Sequence, residues 1–323
     1  MSRPIILGVV GDSGTGKSTL TRGLVDILGS QNVTHIRMAD YHRYDRVERA
    51  ELGLTALHPD ANHLDILAQH LRLVRNGEPI LKPVYRHEDG TFVRAEYVVP
   101  KPFVVVEGLL GYHTSELSSL YDVRVYVEPP EELRHMWKMK RDVAKRGYSN
   151  EQVQRELENA ELDSEAFIRP QEHRADLVVS FRPGELTGAD HMDAFLTLRE
   201  GLAHPDMSVV VGDGRADGLT LIERGRERIL YVPGDIAGGA EIAEKIWGRM
   251  QFASHLRADR LGAFSIGSEE FRSESLAIVQ LVILYHAVTA KAIVALGGDH
   301  ASARSTPNAK APAPSAPAAP VPT

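Results

Sequence analysis

The chain has 323 residues and a formal net charge of −7. That length suits one large α/β domain with an appendix, or two modest domains, and the acidic balance argues against general nucleic-acid binding, which needs excess basic charge to displace counterions. There is no cysteine, which excludes structural disulfides, cysteine-ligated zinc, thiolate catalysis and thiol redox switching.

Met1-Ser2-Arg3-Pro4 runs into the first strand without the apolar core of a signal peptide, which leads us to expect a cytoplasmic protein. The first strand, Ile5-Ile6-Leu7-Gly8-Val9-Val10, is apolar throughout, as a strand buried on both faces must be. It meets Gly11-Asp12-Ser13-Gly14-Thr15-Gly16-Lys17-Ser18-Thr19, and a helical apolar period then begins at Leu20, Leu24, Val25 and Leu28. This is G-x-x-x-x-G-K-S in its required setting, strand before and helix after. The glycines let successive N–H groups point at an anion and the helix N-terminus adds partial positive charge. Residues Gly11 to Thr19 are therefore expected to bind ATP, with Lys17 reaching the outer phosphates and Ser18 ligating Mg²⁺.

A second strand over Val33 to Met38 delivers Ala39-Asp40-Tyr41-His42-Arg43-Tyr44-Asp45-Arg46 at its C-terminal end, where parallel sheets bind ligands. A helix follows with Asp60 or Asn62 as its cap and Leu64, Leu67, Leu71 and Val74 as its buried stripe. Pro79 to Tyr97 reads as a hairpin turning at Glu88-Asp89-Gly90. The next buried strand, Phe103 to Gly108, ends in Glu107, an acid placed to hold Mg²⁺ or its waters opposite the loop.

Beyond a strand at Val123 to Val127, Pro129-Pro130-Glu131-Glu132 opens a helix with five basic side chains between Met136 and Arg146. The pattern fits either a solvated basic face or a lid whose arginines close over phosphates. A polar helix spans Asn150 to Asp163, and a strand lies in Ala175 to Ser180. Short strands are expected at Ser208 to Val211, Leu219 to Glu223 and Arg228 to Val232, then helices at Glu241 to Met250 and Glu274 to Leu296. Leu276 to Leu296 is apolar enough to be weighed as a membrane span, but Gln280, His286 and Lys291 interrupt it, so we expect a buried helix in the core or at a subunit interface and no membrane partner. The Ala/Pro/Ser-rich segment 297–323 is expected to be disordered.

Taken together, these motifs resemble the phosphoribulokinase and uridine kinase family. The resemblance is carried by the phosphate loop, Asp40-Tyr41-His42 with Arg46, His58-Pro59-Asp60-Ala61-Asn62, Lys82-Pro83-Val84-Tyr85 with His87, Val106-Glu107-Gly108, and Arg141-Asp142 with Arg146-Gly147-Tyr148. Phe167-Ile168-Arg169-Pro170-Gln171 and the segment from Gly267 to Tyr285 resemble the longer, plant and cyanobacterial members. It implies a mostly parallel α/β sheet flanked by helices, of the P-loop NTPase type, with a core over residues 1–183; the strand-rich pattern beyond Pro183 by itself leads us to expect a strand-and-helix extension over 184–296 that completes the sheet or forms a homodimer contact. It also implies transfer of the ATP γ-phosphoryl group to ribulose 5-phosphate, giving the bisphosphate of the reductive pentose phosphate cycle. By motif position, His42 and Arg46 would hold the sugar phosphate, Tyr85 and His87 would line the acceptor pocket, and Arg141 and Arg146 would be the lid cations. Lys17, Arg141 and Asp142 would be catalytic.

This chain departs from the family pattern at two positions. Thr15 stands where light-regulated members carry a cysteine. The family's catalytic Asp lies three residues before the His, and that position here is Ala39. Asp40 is the adjacent substitute if its loop leaves strand geometry, with Asp142 as a second candidate. A nucleotide-binding regulator is the alternative, with Ala39 as its signature, and a nucleoside kinase of the uridine kinase type ranks third because the hairpin is basic.

Overall fold

A computed structural model describes residues 2–146, 148–184, 188–202, 204, 218–236, 242, 247–248, 258–266 and 269–298, with the side chains of 145, 146, 188–190, 258 and 265–266 excepted. The strand expected at Ser208 to Val211, most of the helix expected at Glu241 to Met250, nearly all of the terminal segment and the Arg146 side chain lie outside these.

The fold is built on β1 (Ile5–Val10), whose six residues are all buried. It pairs in parallel with β5 (Phe103–Gly108) and β6 (Val123–Val127). Outside these lie β2 (Val33–Arg37) and β7 (Leu177–Gly184), giving five parallel strands in the order β2-β5-β1-β6-β7. Three antiparallel strands continue the sheet: β8 (Gly188–Leu198), β10 (Glu227–Val232) and β9 (Thr220–Arg224). The extension therefore shares one sheet and one apolar core with the N-terminal half, since Val9, Val125, Leu196, Leu230 and Ile283 belong to a single cluster.

Helix α1 (Lys17–Leu28) follows the glycine loop, and Gly16 at φ 88° makes the left-handed turn into it. On the same face lies α7 (Glu274–Ala295), the long apolar helix near the C-terminus. It is long and apolar enough to cross a membrane by composition alone, yet its residues from Ser275 to Leu284 are all buried against α1 and the sheet. Gly23 lets the two helices approach, because a Cβ there would sit 2.0 Å from Gln280 Nε2.

The opposite face carries α2 (Arg46–Glu51), α3 (Leu64–Arg75) and α4 (Ser115–Ser119). His63, not Asp60 or Asn62, precedes α3; Asn62 has gone instead to a bridge with His42. The hairpin is β3 (Ile80–Arg86) and β4 (Thr91–Val98), a separate two-stranded sheet. A second hairpin, β11 (Ala263–Ile266) and β12 (Glu269–Arg272), precedes α7 and had no clear signal in the sequence. Helices α5 (Glu131–Arg146) and α6 (Asn150–Asp163) leave the sheet after β6 and pack on each other beside the glycine loop.

Candidate active site

The loop from Gly11 to Thr19 closes the C-terminal end of β1, where backbone N–H groups are free of the sheet. Gly11, Gly14 and Gly16 all have positive φ, and a Cβ on Gly14 would lie 2.8 Å from Lys138 Cβ and 2.9 Å from Arg134 O. Helix α5 thus rests directly on the loop. Arg134 from α5 pairs with Asp12 at 3.3 Å, and Arg141 Nη2 donates to Ser13 Oγ at 3.3 Å. Lys17 Nζ donates to the Asp12 carbonyl at 2.5 Å. Burial, against the pull of Asp12 and Glu107, brings its pKa down to about 8.

Glu107 ends β5 beside α1. Its Oε1 lies 3.4 Å from Ser18 Oγ, and its Oε2 accepts from Thr21 Oγ1 at 2.5 Å. Burial works against its charge, but His35, the Thr21 hydroxyl and the Lys17 ammonium outweigh that and hold its pKa below the ordinary value. Ser18 and Glu107 offer hard oxygen donors on one wall of the cleft, which suits Mg²⁺. No group of three or more His, Asp or Glu among the described residues could cage a metal unaided, so an ion here would draw its remaining ligands from phosphate and water.

One cleft of about 440 Å³ is lined by Asp12, Lys17, Ser18 and Glu107 on the loop side, and by His42, Arg46, Arg49, Tyr85 and His87 on the other. Lys138 and Arg141 from α5 line it too. Ala39 faces this cleft.

Asp40 does not line the cleft. Residues Met38–Tyr41 form a 3₁₀ turn, so the backbone does leave strand geometry, but the turn carries the carboxylate toward the hairpin. Its oxygens accept from Lys82 Nζ at 2.6 Å, Arg37 Nη2 at 3.1 Å and the Tyr85 amide at 3.1 Å. The base expected at Asp40 is corrected on this ground: the side chain anchors β3 and is turned away from the cleft. Asp142 is likewise fully buried and outside the lining, held by Lys138 at 2.8 Å and by Arg141 Nε at 2.7 Å. Burial opposes its charge, but those two cations prevail and its pKa falls to about 2. It orients the two α5 cations, Lys138 and Arg141.

The sequence gives Arg49 no role and offers Asn62 only as a helix cap. Arg49 is 8% exposed, donates to the Tyr44 carbonyl at 2.8 Å and the Tyr85 hydroxyl at 3.1 Å, and has no carboxylate partner among the described residues. A buried guanidinium in that state calls for an anion. The spacing Arg46-Val47-Glu48-Arg49 after the Asp45 capping box places both arginines one turn apart, a signal that was available. Arg46 lies with its Cζ 5.5 Å over the Tyr148 ring and donates to the His87 carbonyl.

A glycine loop between a central parallel strand and its helix, facing a cationic wall across one cleft, defines a P-loop protein of the kinase fold. A family model described as "Phosphoribulokinase / Uridine kinase family" matches residues 6–187, and the chain belongs to that family. It is 38% identical over 186 residues to the phosphoribulokinase of Synechocystis sp., covering 58% of this chain and 56% of that protein. To the chloroplastic phosphoribulokinase of Triticum aestivum it is 31% identical over 255 residues, covering 72% of this chain and 63% of the relative. The chain thus spans less than two thirds of the length of either. A solved phosphoribulokinase from Rhodobacter spheroides shares the fold, with a TM-score of 0.57 at 20% identity over 71% of this chain and 90% of that one.

Proposed function

We propose that this chain transfers the γ-phosphoryl group of ATP to a hydroxyl of ribulose 5-phosphate. The observation that carries the reading is the single cleft lined both by the phosphate loop and by a second pair of cations, Arg46 and Arg49. Two separated cationic sites fit a donor and an acceptor that are both phosphorylated.

Lys17 and the loop amides hold the triphosphate, while Arg141, steadied by Asp142 and Ser13, faces the transferring group. Ser18 and Glu107 would hold Mg²⁺, which when bound would supply charge neutralisation for the triphosphate. Arg49 and Arg46 take the acceptor phosphate and fix the far end of the sugar, so the reacting hydroxyl is oriented toward the loop. Arg49 also favours a phosphorylated sugar over a neutral nucleoside, whose binding would leave that guanidinium without an anion. Among the described residues β9 is the outermost strand of the sheet, and its edge supports a homodimer as part of this reading.

The deciding experiment is ADP release with ATP and Mg²⁺ in the presence of ribulose 5-phosphate, uridine or no acceptor. Release that depends on the sugar phosphate is expected, and release with uridine alone would overturn the assignment. The methyl group of Ala39 on the cleft wall favours one competing reading, a nucleotide-binding regulator; ATP binding without turnover on any acceptor would establish it.

A further inference from the structure

Every carboxylate on the cleft wall is engaged. Asp12 accepts from the Ser13 amide at 2.6 Å and from the Ser164 hydroxyl and pairs with Arg134. Glu107 lies with Ser18 and Thr21, and Glu156 pairs with Lys138 at 3.0 Å. Ala39 has no proton acceptor, and Asp40 and Asp142 lie off the cleft.

His42 is different. It bridges backbone to backbone with Asn62, and flanking bonds from Arg43 N to Ala61 O (2.8 Å) and His63 N to Tyr41 O (2.7 Å) fix the two residues in register. Asn62 Nδ2 donates to the carbonyls of Ala56 at 3.1 Å and His58 at 2.9 Å. Both amide hydrogens are thereby directed away, and the Asn62 Oδ1, an acceptor only, lies 2.9 Å from His42 Nδ1. The Nδ1 atom must therefore carry the ring proton. Arg49 from α2 and His87 from the hairpin face the ring, Tyr85 meets it edge-on at 4.9 Å, and burial together with the Arg49 charge keeps it neutral. Its Nε2 is left with a lone pair and no partner among the described residues, on a ring that lines the cleft beside the Ala39 turn. A lone pair cannot donate to a phosphate oxygen. It accepts from a hydroxyl.

We infer that His42 Nε2, held in that tautomer by Asn62, is the general base that takes the proton of the acceptor hydroxyl in place of the carboxylate missing at Ala39. The inference rests on the phosphotransfer reading above. As the acceptor oxygen bonds to the γ-phosphorus, its proton passes to Nε2. The bond from that phosphorus to the β,γ-bridging oxygen breaks, and the electron pair leaves with ADP. The imidazolium then returns its proton to water. Bound phosphates offset the Arg49 charge at the ring, raising its basicity only when the cleft is loaded. His42 is thus the catalytic base and Asn62 a positioning residue.

Three measurements on the full chain test this. Nitrogen NMR of the histidine-labelled protein should show His42 protonated at Nδ1; protonation at Nε2 overturns the proposal. H42Q should lose about a hundred- to ten-thousand-fold in kcat while binding of a non-hydrolysable ATP analogue is unchanged, and A39D should recover turnover in that background. A loss confined to KM overturns the base assignment. The unaltered protein should show an acidic limb in kcat, and N62D, by supplying a carboxylate to Nδ1, should move that limb to higher pH; a limb indifferent to N62D, or absent, also overturns it. No sugar-phosphate-dependent ADP release at all would refute the phosphotransfer reading and the base with it. Turnover that persists unchanged in H42Q refutes the base alone.

Discussion

Asp40 and Lys82 form an ion pair at 2.6 Å in which neither side chain is more than 5% exposed. It joins the turn after β2 to the first strand of the hairpin, the segment that presents Tyr85 and His87 to the cleft. Replacing Asp40 with Asn leaves the Lys82 ammonium buried with only the Pro83 carbonyl at 3.1 Å and an exposed Glu96 at 3.7 Å. Losing the buried partner of an ion pair costs about 3–5 kcal/mol, and the exposed Glu96 offsets only part of it. The expected result for Asp40→Asn is a lower urea midpoint, with part of the loss recovered by adding Lys82→Met. The pH profile of kcat should keep its shape, because the residue carries no proton in the reaction.

Arg49 gives a prediction centred on binding. Its guanidinium faces the cleft without a carboxylate, so Arg49→Met removes the charge that would meet a bound anion, together with its bonds to the Tyr44 carbonyl and the Tyr85 hydroxyl. A hydrogen bond to a charged group is worth about 1.5–3 kcal/mol, which corresponds to roughly a ten- to hundredfold rise in KM for the sugar phosphate. The KM for ATP should stay within about twofold, since Arg49 sits on the wall across from the phosphate loop. Steady-state kinetics with each substrate varied in turn decides it.

The sequence made the nucleotide half of this cleft legible because the phosphate loop is local: strand, glycines, lysine and helix are contiguous, and backbone geometry alone builds the anion site. The same holds for Glu107, read from a buried strand that ends in an acid. The acceptor half depends on side-chain direction across a turn. Asp40 and Ala39 are neighbours, and only the 3₁₀ geometry of Met38–Tyr41 decides which faces the cleft. In sequence Asn62 reads as a helix cap, because its tie to His42 spans two loops with no periodic signal. Strands β8, β11 and β12 were missed for a related reason: β8 mixes polar and apolar residues at a sheet extension, and the last two form a short exposed hairpin.

The neutral, buried state of His42 also has a cost in folding. Burial first, then the Arg49 charge, lowers its pKa from 6.5 to about 3 in the folded chain. The unfolded chain therefore binds a proton near pH 6.5 that the folded one refuses, and stability falls as pH drops from about 6.5 toward 3. Between pH 7.5 and 5 this one group accounts for about 2 kcal/mol. In urea titrations the loss of unfolding free energy between the two pH values should be larger in the unaltered protein than in His42→Gln by that amount, because the other titrations cancel. Saturating sugar phosphate should shrink the difference, since a bound anion lets the folded ring accept its proton.

Lys17 turns nucleotide binding into a proton-linked event. Its pKa is about 8 in the free chain because burial outweighs the pull of Asp12 and Glu107. A triphosphate brings negative charge against the ammonium and raises that pKa, so binding is fully favoured below pH 8 and weakens above it. Affinity should fall by up to tenfold per unit from about pH 8 to the raised pKa of the complex. Calorimetry at pH 8.5 in buffers of different ionisation enthalpy should register proton uptake that is absent at pH 6.5. In Lys17→Met the uptake should vanish, along with a loss of affinity of roughly ten- to hundredfold at pH 7. An affinity that stays flat across pH 7 to 9.5 would place the ammonium elsewhere than on the phosphates.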